Sequence, residues 1–448
     1  MLLAVAVTMH VLLRKREVSS AAAWIGLAWF APVMGSVSYV LFGINRVQRR
    51  ARRLKDGGGP RPDAPDEGDA RPLQRGIAGI TGRAMAPGTA LAVYQDGDEA
   101  YPPMLAAIAG ARQSVGMVSF IFHDDVWGGR FIAALAAAHD RGVAVRVLVD
   151  GIGGGWLRSA AYHRLRARGV PAARFLHSSG PWLMPFLNLR CHKKVLVVDG
   201  AVAFTGGMNI ADANVKAMRS PAPVQDTHFR VEGPVVRQLS EAFAGDWSFA
   251  TNEDLGGDLW FPPLHSHGGA PARVIDSGPD DDIEKIEFAV LQAVACARTR
   301  ISVMTPYFLP DERLATALAL AVQRGVSVDV VVPETSDHVL IDWALRANLG
   351  PMLKEEVRVW RCPPPFRHSK AMLVDDDWVL VGSCNWDIRS FRLNFELCLE
   401  FYDKAVSVEL DRFMLTCRGR EWTLAELDAR PLPGRLRDAC ARLMLPYL

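Results

Sequence analysis

The chain has 448 residues, half of them hydrophobic and 22% charged, which excludes a disordered polypeptide and supplies cores for about three folded units. Lysine plus arginine (51) balances aspartate plus glutamate (49), which argues against a bulk polyanion binder and leaves only local basic patches. Seven cysteines without a CxxC pair make a poor disulfide framework and a poor zinc site, and fit a reducing compartment.

In chain order, residues 1–13 (MLLAVAVTMHVLL) hold no Asp, Glu, Lys or Arg. At about 1.5 Å per residue they fall short of a bilayer core of about 30 Å. Three readings stay open: the first arm of a membrane-inserted hairpin, a signal-peptide core, or the remainder of a longer helix that starts upstream. The hairpin is preferred, because the basic residues Arg14, Lys15 and Arg16 follow the apolar run instead of preceding it. Residues 18–44 are a second charge-free run, with Trp24, Trp29 and Tyr39. As one helix it would reach about 40 Å, so a membrane-spanning helix is expected, kinked at Pro32 and Gly35. Residues 46–55 (RVQRRARRLK) hold six basic residues and no acidic one, which puts the main body on the cytoplasmic side. Residues 56–72, rich in Gly, Pro and Asp, read as a flexible tether.

The body then reads twice. ARQSVGMVSFIFHDD (111–125) and ARTRISVMTPYFLPD (297–311) agree in apolar placement, and each is followed by an Ala/Leu-rich helical stretch and a strand (RGVAVRVLVD, 141–150; RGVSVDVVVP, 324–333). Strand–helix–strand twice over predicts an α/β fold of two similar domains, with mostly parallel sheets and flanking helices. The expected partition is an anchor over 1–45, a basic flank and linker over 46–72, domains over 73–260 and 261–430, and an amphipathic segment over 431–448.

Each copy ends in a matching polar string. His192, Lys194 and Asp199 lead to Gly206-Gly207-Met208-Asn209; His368, Lys370 and Asp375 lead to Gly382-Ser383-Cys384-Asn385. The spacing is identical: HxK, four residues, D, six residues, G(G/S)xN. On a strand the His and Lys of each string share a face. Two lysines and two asparagines suit the oxygens of a phosphoryl group, one neutral imidazole suits attack on phosphorus, and a second, protonated one suits donation to the leaving oxygen. No third metal-type ligand lies near either His, so a metal-free mechanism without a cofactor is expected.

The duplicated HxKxxxxD string resembles that of the phospholipase D superfamily, and the resemblance covers nearly the whole chain. Arg190, TPYFLPD (305–311) and RSFRLNFE (389–396) are similar to its bacterial cardiolipin-forming branch, whereas Cys191 departs from the Asn common before the first His. The resemblance implies a membrane-bound phosphatidyltransferase that converts two phosphatidylglycerol molecules into cardiolipin and glycerol through a phosphatidyl-histidine. It implies His192 as the usual nucleophile and His368 as acid and base, although the sequence itself does not order them. Lys194, Lys370, Asn209 and Asn385, with Gly207 and Ser383, are then the expected phosphate binders, and Asp226 and Glu396 the carboxylates that orient the histidines. Asp199 and Asp375 belong to the catalytic string and are expected to act structurally, through ion pairing.

Implied partners are phospholipids and the bilayer at the bacterial inner membrane, with no nucleic acid; the oligomeric state is not legible. Hydrolysis or exchange on another phospholipid is the main alternative, ahead of a nuclease or an inactive scaffold. Tyr307 and Phe308 are candidates for lining a lipid channel. Trp182, Met184 and Phe186 are candidates for dipping into the bilayer, and Arg435, Arg437 and Arg442 for the polar face of an interfacial helix; simple packing is the alternative for each group.

Overall fold

The computed structural model describes residues 1–14, 18–40, 71–155, 158–177, 189–279 and 282–443. The basic flank 46–55, most of the tether, Lys15 and Arg16, and Trp182, Met184 and Phe186 lie outside the described residues.

The amino-terminal segment is helical, but the expected spanning helix is not formed. The second charge-free run divides into helices Val18–Phe30 and Pro32–Ser38. Ala31, at φ −136° and ψ 77°, leaves the helical region because the ring of the following proline disfavours it there. No described helix is long and apolar enough to cross a membrane. Helix Leu2–Arg14 folds back on these two, burying Ala4, Val7, Val11, Ala28 and Tyr39. Trp29 Nε1 donates to Thr8 Oγ1 at 3.0 Å, and His10 Nδ1 lies 2.6 Å from the Tyr39 hydroxyl.

The two repeats build one continuous sheet rather than two separate ones. From its first edge the order is Ala172–Phe175, Ala144–Asp150, Ser114–Ser119, Val195–Val198, Val202–Gly206, Thr227–Glu232 and Ala86–Gln95. The second half continues in mirror order with Ala270–Ser277, Asn394–Tyr402, Trp378–Gly382, Ala371–Val374, Arg300–Met304, Ser327–Pro333 and Arg358–Cys362. Ala86–Gln95 and Ala270–Ser277 pair antiparallel and join the halves.

Within this order of fourteen strands the expected parallel character holds only at the two ends, in the strand–helix–strand units. Elsewhere neighbours run antiparallel, because the strands carrying the polar strings return through tight turns instead of helical crossovers. Those turns are Asp199-Gly200 and Asp375, all with positive φ. The helices of the repeat are Val126–Asp140 and Glu312–Gln323. The acidic residue that ends each repeat string caps its helix: Asp125 accepts from Gly128 N and Asp311 from Leu314 N.

A central core containing Phe175, Phe229, Phe395 and Phe401 draws on both halves. Fully buried Arg273 donates to Glu400 at 2.5 Å and to the carbonyls of Arg83 and Gln74, while Trp378 Nε1 donates to the second Glu400 oxygen at 2.8 Å. This satisfied pair ties helix Pro72–Thr81 to the middle of the sheet. At the other end of the chain, helix Leu432–Arg442 turns Asp438 inward to Arg346, Arg430 and Arg437. Leu432 and Leu436 remain exposed.

Candidate active site

The two polar strings meet where the halves face each other, and the main chain crosses between them. Strand Arg190–Cys191 pairs with Asn394–Phe395, so the His192 N–H donates to the Phe395 carbonyl at 2.8 Å. Strand Phe366–Arg367 pairs with Val224–Gln225, so the His368 N–H donates to the Gln225 carbonyl at 2.7 Å. Each histidine is thereby anchored to the residue just before a carboxylate of the opposite half.

The side chains follow the backbone. His192 Nδ1 lies 3.0 Å from Glu396 Oε2 and 2.9 Å from the Ser383 carbonyl. A carbonyl only accepts, so Nδ1 carries the proton and Nε2 is left bare. His368 Nδ1 lies 2.7 Å from Asp226 Oδ2. The orienting carboxylates are therefore exchanged between the repeats. Asp226 accepts from its neighbour Thr227 N, and its own N–H donates to Asp96. Asn394 Nδ2 donates to Glu396 at 3.1 Å.

Lys194 and Lys370 sit beside their histidines, with Nζ donating to the carbonyls of His192 and His368. Lys370 Nζ also lies 2.8 and 3.1 Å from the two ring nitrogens of His368. Asn209 Oδ1 accepts from Ile121 N, while buried Asn385 Oδ1 has no partner among the described residues.

Gly207 and Ser383, the other expected phosphate binders, lie against the two orienting carboxylates. The Ser383 hydroxyl donates to Glu396 at 2.5 Å and accepts from Leu397 N. Gly207 lies so close to the Asp226 carboxylate that a Cβ there would collide with it. Both residues support the carboxylates.

Asp199 and Asp375 lie outside this cluster, at the far ends of the motif strands. Asp199 accepts backbone N–H groups of Arg112, Gln113 and Ser114. Asp375 accepts those of Arg298, Thr299 and Arg300 and the Thr299 hydroxyl. Their carboxylates are taken up by backbone donors, and among the described residues neither makes the expected ion pair.

Phe120, Phe366 and Asp96 complete the surroundings and were not singled out by sequence. The Phe120 ring lies 4.8 Å from that of His192, edge to face, and Phe366 and Tyr307 lie 5.8 and 6.3 Å from His368. The repeat string that carries Phe120 was visible, but nothing in it marked that position as a neighbour of His192.

Burial together with the charges of Lys194 and Lys370 holds His192 well below the ordinary imidazole value, so it is neutral. Burial and Lys370 also lower His368. Burial lowers Lys194 to about 7 and Lys370 to about 8, and raises Glu396 to about 7. Burial opposes ionisation of Asp226, but Lys370 and His368 outweigh it and hold the carboxyl low. The cluster is thus a desolvated set of two lysines facing two carboxylates, with one bare imidazole nitrogen between them.

Comparisons with known proteins name the family. The model of the cardiolipin synthase, phospholipase D-like domain matches residues 104–247 and 290–417, and that of the phospholipase D-nuclease amino terminus matches residues 2–43. Cardiolipin synthase A of Pseudomonas syringae is 33% identical over all of this chain and 96% of its own. Cardiolipin synthase A of Pseudomonas fluorescens is 36% identical over 79% of this chain and 74% of its own. The crystal structure of a phosphatidylserine synthase from Haemophilus influenzae shares the fold, with a TM-score of 0.64 at 14% identity, covering 84% of this chain and all of that one. The chain thus belongs to the phospholipase D superfamily and is a cardiolipin synthase-like phospholipid phosphatidyltransferase within it.

Proposed function

We propose that the chain makes cardiolipin and glycerol from two phosphatidylglycerol molecules, through a phosphatidyl-histidine on His192. The observation that carries this is the composite site: two histidines, each held by a carboxylate of the other half, with a lysine beside each. In the first step His192 Nε2 attacks the donor phosphorus, the bond to the glycerol oxygen breaks, and His368 gives that oxygen a proton. In the second, His368 takes the proton of an acceptor hydroxyl, whose oxygen bonds to phosphorus as the phosphorus–nitrogen bond breaks. The bound phosphodiester anion offsets the lysine charges and restores the proton to His368. Lys194, Lys370, Asn209 and Asn385 surround the phosphoryl oxygens.

Domains over 73–260 and 261–430 are part of this proposal. So is attachment to the cytoplasmic face of the bacterial inner membrane. It is supported by the exposed Leu2, Leu12, Leu13, Phe30 and Met34 of the helical hairpin, suited to shallow insertion among acyl chains.

The test is purified protein in phosphatidylglycerol vesicles with lipid mass spectrometry. Cardiolipin is expected from the wild type, and His192→Ala and His368→Ala are each expected to lose at least about 1,000-fold in kcat. Phosphatidic acid as the sole product would replace transfer by hydrolysis.

A further inference from the structure

The duplication makes the site nearly two-fold, so the places where its halves differ bear on which substrate group each half meets. Around His192 the neighbour is apolar: Phe120 lies against the imidazole, and Lys194 Nζ stands 5.3 Å from the same ring. The residues after strand Ala144–Asp150 are glycine-rich (Gly151, Gly153, Gly154, Gly155). Around His368, beside Phe366, two of the corresponding positions are polar. Tyr307 takes the repeat position of Ile121, with its ring edge to face with His368. Its hydroxyl donates to Asp337 Oδ1 at 2.7 Å, and Asp337 belongs to the loop that replaces the glycines. His338 follows, its ring 6.0 Å from Tyr307 and its Nε2 3.9 Å from Asp337 Oδ2. Asp337 and His338 are exposed, and Tyr307 bridges from them to the buried imidazole.

We propose that Tyr307 and Asp337 form a polyol subsite that holds the adjacent hydroxyls of a glycerol head group beside His368. A carboxylate accepts from two neighbouring hydroxyls at once, and the phenol oxygen accepts a third bond while donating to Asp337. The assignment rests on the proposed phosphatidyl transfer. There, the oxygen that exchanges a proton with His368 belongs to a glycerol group in both steps, departing in the first and attacking in the second. One polyol subsite on the His368 side therefore serves both. It also favours glycerol over water and simple alcohols, because a site built around hydroxyl partners rejects an acceptor that lacks them.

The test compares labelled glycerol with 1-propanol as acceptors, with phosphatidylglycerol vesicles as the common donor. Donor cleavage is shared, so the ratio of the two kcat/KM values isolates acceptor recognition and is insensitive to the folded fraction. Asp337→Ala is expected to lower the glycerol-to-propanol ratio by about 10-fold or more, and Tyr307→Phe by several-fold. Asp337→Asn, which keeps an acceptor oxygen, is expected to retain part of the preference. Unchanged ratios in Asp337→Ala and Tyr307→Phe, with the wild type transferring normally, overturn the subsite alone. Wild-type protein that yields no transfer product to any alcohol overturns the transferase function and the subsite together.

Discussion

At the scale of single residues, the site depends on protons held away from their ordinary positions by burial. Glu396, raised to about 7, carries the negative charge that balances a developing positive charge on His192 only when ionised, so activity falls as pH drops through that value. Lys370, lowered to about 8, loses its charge as pH rises through that value, which weakens the hold on phosphate. Lys194, lowered to about 7, loses its charge first, so the profile of kcat/KM is expected to be a narrow bell with its maximum close to 7. Glu396→Gln is expected to flatten the acid limb and lower kcat by about 100-fold, because the neutral amide no longer stabilises the imidazolium-like state of His192. A profile of unchanged shape in Glu396→Gln contradicts this role. Asp375→Ala removes a partner of three backbone N–H groups and is expected to cost about 1–3 kcal/mol in urea unfolding, with kcat per folded molecule unchanged. The strings disclosed the histidines, lysines and asparagines because their spacing repeats. They did not disclose that Ser383 serves Glu396 or that Gly207 makes room for Asp226, since those tasks depend on strands brought together only by folding.

Among the secondary-structure elements, periodicity and composition marked where helices and strands lie, and local sterics decided how they end. The Ala/Leu-rich stretches became helices Val126–Asp140 and Glu312–Gln323, and the acidic residues ahead of them became their caps. Asp311→Ala is expected to cost about 1 kcal/mol of stability in the same unfolding measurement. The amino-terminal run shows where counting apolar residues fails: its length suggested one span, but the backbone departs from the helix at Ala31, before Pro32. What the run keeps is an exposed apolar surface. Replacing Leu12, Leu13, Phe30 and Met34 by Ser is expected to weaken partition onto phosphatidylglycerol vesicles by about 10-fold or more in a flotation assay, because each buried apolar side chain contributes about 1.5–3 kcal/mol. Unchanged flotation would move the membrane contact elsewhere.

The whole molecule is a duplicated chain whose function lies in the crossing of its halves. Sequence repetition announced two copies, and their common sheet explains why neither has a complete site. His192 lacks its carboxylate without the second copy, and His368 lacks its own without the first. The direction of the central strands was not legible, because the repeat pattern reports strand–helix–strand units and is silent on the antiparallel strands between them. The most direct measurement is to quench the protein during turnover with phosphatidylglycerol and weigh the peptides carrying residues 192 and 368. A phosphatidyl adduct on His192, forming more slowly in Glu396→Gln, is the expected result. An adduct on His368, or cardiolipin formed in His192→Ala, would contradict the account.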